Sequence, residues 1–171
     1  MRILVAGVGN VFLGDDGFGV TVARRLAGTE LPDGVLVTDF GIRGVHLAYE
    51  LTGGGYDATI LLDAASRGSP PGTLYVLEPS PGECPGSFVD AHAMTPESVL
   101  ALADTLGGVT GRVLLVGCEP ADLSPGMELS APVAGAVGAA VNLVRELLLE
   151  LVGQQTAPVR AGTGHEEERT C

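Results

Sequence analysis

A chain of 171 residues, 46% hydrophobic and 18% charged, has the size for one domain with a single good core and no need of disulfides. Its net charge of −12 sets it against nucleic-acid phosphates and anionic lipid surfaces, and favours solubility. Aromatics are only 4% of the residues, so the core must be built from closely packed Val, Leu and Ala.

Cys84, Cys118 and Cys171 are odd in number, far apart and in no C-x-x-C pair, which reads as reduced thiols in a cytoplasmic protein. Cys118 ends an apolar run and reads as a small buried residue. The N-terminal apolar stretch is too short for a signal peptide, and no run approaches the ~18 apolar residues of a membrane span.

Arg2 to Val8 reads as a first, buried strand. Gly7-Val8-Gly9-Asn10-Val11-Phe12-Leu13-Gly14-Asp15-Asp16-Gly17-Phe18-Gly19 follows, with five glycines that permit sharp turning and close approach. Glycines combined with two adjacent acids point to a cation or a polar substrate and away from a phosphate. The spacing predicts a helix over Gly17 to Leu26, capped by Asp15 or Asp16. Val35 to Phe40 forms a second strand, Val45 to Leu51 a short helix, and Ala58 to Ala65 a third strand. Strand and helix in alternation imply a parallel sheet covered on both faces.

Only Ser66 to Gly72 separates the third strand from Thr73 to Glu78. A parallel crossover needs roughly a dozen residues, so the fourth strand returns antiparallel. Pro79 to Met94 is a Pro- and Gly-rich loop that carries Asp90 and His92. Thr95 caps a helix to about Leu106, with Pro96 in its first turn. Arg112 to Cys118 is a fifth strand and Glu119 to Glu128 a loop. Ser130 caps a final helix to about Val152, with Val133, Val137, Val141, Val144 and Leu148 along one face. The expectation is a single-domain α/β three-layer sandwich over residues 1–152, with a twisted, mixed, mostly parallel sheet of about five strands. Residues 153–171 read as a disordered tail.

Ligands in such a sheet sit beyond the carboxyl ends of the strands, where the strand order reverses. Asp15 and Asp16 follow the first strand, Asp39 the second and Asp63 the third, while the long loop could bring His92 over that edge. Two carboxylates and an imidazole suit a divalent transition metal, and also acid/base chemistry in which one carboxyl holds a proton. Each residue has a plainer role open to it: a helix cap for Asp15 or Asp16, an acceptor of backbone N–H groups for Asp63, a surface residue held by Asp90 for His92. His46 reads as a partly packed surface residue and His165 as part of the tail.

A dinucleotide-binding Rossmann-type domain would share Gly7, Gly9 and Asp39. Phe12 stands at the third glycine position, however, and a pyrophosphate would meet Asp15 and Asp16. Serine-hydrolase, zincin and P-loop motifs are absent, and the chain has no lysine.

The opening motif, Gly7-Val8-Gly9-Asn10 through Gly14-Asp15-Asp16-Gly17-x-Gly19, resembles that of the hydrogenase maturation proteases. Ile60-Leu61-Leu62-Asp63-Ala64 resembles the second motif of the family, and Ala91-His92 with Met94-Thr95-Pro96 its third. Gly117-Cys118-Glu119-Pro120 and Leu129-Ser130-x-x-Val133 match its fifth-strand and last-helix region. The resemblance implies a cytoplasmic endopeptidase that removes the C-terminal extension of a [NiFe]-hydrogenase large-subunit precursor. It also implies that Asp16, Asp63 and His92 recognise nickel carried by that precursor, with either metal assistance or an aspartic-type general base. A nickel-sensing checkpoint binder that does not cut is an alternative within the same resemblance. The chain departs from many members after the second strand, where Asp39-Phe40-Gly41-Ile42-Arg43-Gly44 replaces a Gly-Gly-Thr-type loop associated with partner choice. Arg43 there could contact an acidic group of the precursor or be simply solvated.

Overall fold

The computed structural model describes residues 1–79 and 95–156. Five strands form one sheet in the order β2-β1-β3-β5-β4: β1 (Ile3–Val8), β2 (Val35–Gly41), β3 (Ala58–Ala64), β4 (Leu74–Leu77) and β5 (Arg112–Cys118). β1 pairs in parallel with β2 and β3, and β3 with β5. β4 runs antiparallel to β5, from Leu74 opposite Cys118 to Leu77 opposite Leu115. The short link after β3 therefore has the consequence expected of it: too few residues for a crossover helix, and a reversed edge strand.

Side-chain alternation along the strands divides the core in two. Ile3, Val5, Ile60, Leu62, Leu114 and Val116 face α1 (Phe18–Ala27) and α4 (Ala131–Thr156), where Phe18, Val22, Leu26, Val137, Val144 and Leu148 meet them. Leu4, Ala6, Val8, Leu61 and Leu115 face the opposite side, against Leu47 and Leu51 of α2 (Gly44–Gly53) and Val99 and Ala103 of α3 (Pro96–Thr105). This is a three-layer sandwich. The predicted stripe of α4 is wholly buried, from Val133 to Leu148. Each such residue contributes on the order of 2 kcal/mol of apolar burial. α4 continues past Val152, its expected end, to Thr156.

The start of α1 differs from expectation. Neither Asp15 nor Asp16 caps it: Gly14–Gly17 forms a 3-10 turn, and Gly17 stands at the N-cap position with no side-chain hydrogen bond. The two carboxylates are taken by other partners, and the first turn of α1 abuts the sheet instead. A Cβ on Gly19 would lie 2.0 Å from the Leu62 carbonyl oxygen and 2.5 Å from that of Val8, so only glycine lets α1 come this near β1 and β3. Thr95 does cap α3, its Oγ1 accepting the Ser98 N–H at 3.3 Å.

Candidate active site

β1 has β2 on one side and β3 on the other, so the strand order reverses between β1 and β3. The acids that follow these two strands come together there. Asp16 and Asp63 line one cleft of about 970 Å³, with the first turn of α3 (Pro96 and Glu97), Leu115 of β5 and the Ala64–Arg67 segment as further walls. Asp63 shares the strand face of Leu61, which places it on the α2/α3 side of the sheet.

Asp16 is half-buried, and its Oδ2 accepts the Asn10 N–H at 2.6 Å. Asn10 Oδ1 in turn accepts the Phe12 N–H at 2.9 Å, which shapes the turn from within. Asp63 is 5% exposed and its Oδ1 accepts the Ala64 N–H at 2.8 Å. Burial pushes the Asp63 carboxyl well above its ordinary value, and the negative charges of Asp16 and Glu97 push the same way against that one N–H. Gly9 holds the acids close. Its φ is +123°, and a Cβ there would fall 1.9 Å from the Asp16 carbonyl oxygen and 3.5 Å from Asp63 Oδ1.

Asp15 points the other way and is fully buried. Its Oδ2 accepts the N–H groups of Ala121 and Asp122 and the Ser130 hydroxyl, while Oδ1 accepts the Ser130 N–H at 2.7 Å. Burial alone would raise its carboxyl, but the Asp122, Ser130 and Ala121 N–H groups and the Ser130 hydroxyl outweigh that and hold it below its usual value. The Ser130 hydroxyl, expected to cap α4, is donated to this carboxylate. Asp15 is thus a strut that ties the turn after β1 to the loop between β5 and α4.

The remaining candidates separate. Asp39 is not a wall of the cleft; it pairs with Arg24 at 2.8 Å on the other side of the β1 turn. The Arg43 guanidinium donates to the carbonyls of Phe40 and Asp39, so it stabilises its own loop. His46 is exposed. His92 and Asp90 lie outside the described residues, although Leu77 and Thr95, near that segment on either side, line the cleft. Among the described residues no group of three His, Cys, Asp or Glu side chains gathers as a metal site.

Two further acids, Glu97 on the cleft wall and Glu119 bonded to the Arg67 segment of that wall, had no role of their own in the sequence reading. Glu97 reaches Asp63 electrostatically from the first turn of α3. Glu119, 6% exposed, accepts the Arg67 N–H at 2.7 Å, the Gly68 N–H at 3.2 Å and the Tyr75 hydroxyl at 2.6 Å. An acid placed directly after a buried strand was the available signal for Glu119; Arg67 carried none.

The hydrogenase maturation protease family model matches residues 20–147. The hydrogenase expression/formation protein HupD of Rhizobium leguminosarum bv. viciae is 35% identical over 151 residues, which span 86% of this chain and 74% of that protein. The hydrogenase 2 maturation protease of Escherichia coli K12 is 32% identical over 155 residues, 88% of this chain and 92% of its own. The solved structure of the hydrogenase maturating endopeptidase HybD from E. coli superposes with a TM-score of 0.71 at 29% identity, over 88% of this chain and 94% of that one. With family model, relatives and fold in agreement, the chain belongs to the hydrogenase maturation proteases and is a hydrolase of the endopeptidase type.

Proposed function

We propose that this endopeptidase removes the C-terminal extension of a [NiFe]-hydrogenase large-subunit precursor, in the cytoplasm, once nickel has been inserted. The observation that carries the reading is the convergence of Asp16 and Asp63, from the ends of two different strands, on one cleft at the strand-order switch. No helix among the described residues is long and apolar enough to cross a membrane.

Nickel enters this reading as part of the substrate. The described residues offer two carboxylate donors toward it, Asp16 and Asp63, and His92 is the third donor of the proposal. Oxygen and imidazole donors with open positions suit a divalent transition metal. Nickel so held supplies Lewis-acid polarisation near the scissile carbonyl. Asp63, buried and with its carboxyl pushed up, can hold a proton beside Asp16, as in a carboxylate pair sharing one site.

The test is the intact mass of a nickel-loaded large-subunit precursor from the same source after incubation with this protein, beside nickel-free precursor. Loss of one discrete C-terminal peptide only from the nickel-loaded sample is the expected outcome. An unchanged mass together with nickel-dependent capture of the precursor would replace cleavage by a checkpoint role. Absence of both cleavage and capture would remove the nickel reading.

A further inference from the structure

Of the described side chains that line the cleft, Asp16, Asp63 and Glu97 are acidic and Arg67 alone is basic. Arg67 lies four residues beyond Asp63 on the segment joining β3 to β4, and its side chain is exposed. That segment is fastened at several points. Ala65 N–H donates to the Cys118 carbonyl at 2.9 Å, and Gly72 N–H to the Glu119 carbonyl at 2.8 Å. The Glu119 carboxylate takes the Arg67 and Gly68 N–H groups directly, and the Tyr75 hydroxyl holds it in place. A buried acid is thus committed to positioning the backbone of an exposed cation. The Arg67 guanidinium itself has no hydrogen-bond or ion-pair partner among the described residues.

An acidic cleft in a chain of net charge −12 repels any peptide carboxylate that approaches it. Among the described residues, the guanidinium carried by this held backbone is then the one cationic point on the wall where such a carboxylate is welcome, and its planar fork pairs with carboxylates in two parallel hydrogen bonds. We propose that Arg67 is a specificity-determining residue that receives a carboxylate of the precursor, a side chain of the removed segment or its terminus, and so sets the register of the peptide across Asp16 and Asp63. The inference rests on the proposed cleavage of a precursor.

The experiment compares wild type with Arg67→Gln, Arg67→Lys and Arg67→Glu on the nickel-loaded precursor, reading kcat and KM by intact mass. Arg67→Gln is expected to raise KM about tenfold, the worth of one charge-assisted contact, with kcat little changed. Arg67→Lys should recover part of the loss and Arg67→Glu should deepen it. Neutralising the carboxylates of the removed segment one at a time should identify one precursor to which Arg67→Gln makes no difference. A KM unmoved in both Arg67→Gln and Arg67→Glu overturns the assignment, as does an Arg67→Gln effect that survives neutralisation of every carboxylate in that segment. Precursor affinity measured in the Asp16→Asn background separates the two readings. Weakening by Arg67→Gln there, without cleavage by wild type, keeps the Arg67 assignment and removes the protease reading; no binding by any variant removes both.

Discussion

Asp15 and Asp16 occupy one 3-10 turn and differ by a single position, yet they serve opposite sides of it. Asp15 turns inward and is saturated: two backbone N–H groups and a hydroxyl on Oδ2, another N–H on Oδ1, and no exposed surface. Asp16 turns to the cleft, half-buried, with one short bond from Asn10 to Oδ2 and no described partner for Oδ1. A carboxylate whose lone pairs are all spent on its own chain holds a fold together, and one with spare acceptor capacity on a cleft wall is available to a ligand. Identical residue types thus take a structural and a chemical role by the direction in which the turn aims them.

Breaking the comparison at the cleft should give the largest effect. Asp16→Asn is expected to lower precursor processing by about 10³-fold, the scale of losing a participating carboxylate, while urea unfolding stays close to wild type because only the Asn10 N–H loses its acceptor charge. The reverse pattern is expected at Asp15. Asp15→Ala leaves the Ala121, Asp122 and Ser130 donors facing a void, and should lower stability by about 3 kcal/mol in equilibrium urea unfolding. Should Asp15→Ala abolish processing with stability intact, the assignment of the two acids would have to be exchanged.

The sequence made the sheet legible because its rules are local and steric. Nine residues between β3 and β4 are too few for a parallel crossover, and the valine spacing of α4 fixes its buried face. The site was half legible. Strand-end position offered Asp15, Asp16, Asp39 and Asp63, and the resemblance selected Asp16 and Asp63 from among them. Composition and spacing could not choose between Asp15 and Asp16, since both acids sit in a glycine-rich turn and either could have capped a helix. What decided between them is the loop from Glu119 to Ser130, over a hundred positions away in sequence, whose N–H groups bond the Asp15 carboxylate and not that of Asp16. The role of Glu119 was hidden for the same reason: its partners Arg67, Gly68 and Tyr75 are distant in the chain. His92 falls outside the described residues, so its place at the site rests on the resemblance.

A finer test of the strut uses protons. Asp15 is held below its ordinary value of 3.8 in the folded chain, so folding favours its charged form. That contribution is complete above the unfolded value and is lost as pH falls through the folded one. The stability gap between wild type and Asp15→Asn, measured by urea unfolding, should therefore be widest near neutrality and narrow as the pH is taken below about 4.

The smallest effect is expected at the rim. Thr95 Oγ1 caps α3 through the Ser98 N–H, and α3 presents Glu97 and Pro96 to the cleft. Thr95→Ala removes one cap and should cost about 1 kcal/mol of stability. Because the cap fixes the first turn of α3 and not the acids themselves, processing should fall by less than about tenfold, through fraying of the turn that carries Glu97. Thr95→Ser, which keeps the hydroxyl, should restore both stability and rate. A Thr95→Ala protein with normal stability and a rate as low as that of Asp16→Asn would mean that this threonine touches the substrate, and the cleft would then have a reacting wall on α3 as well as on β1 and β3.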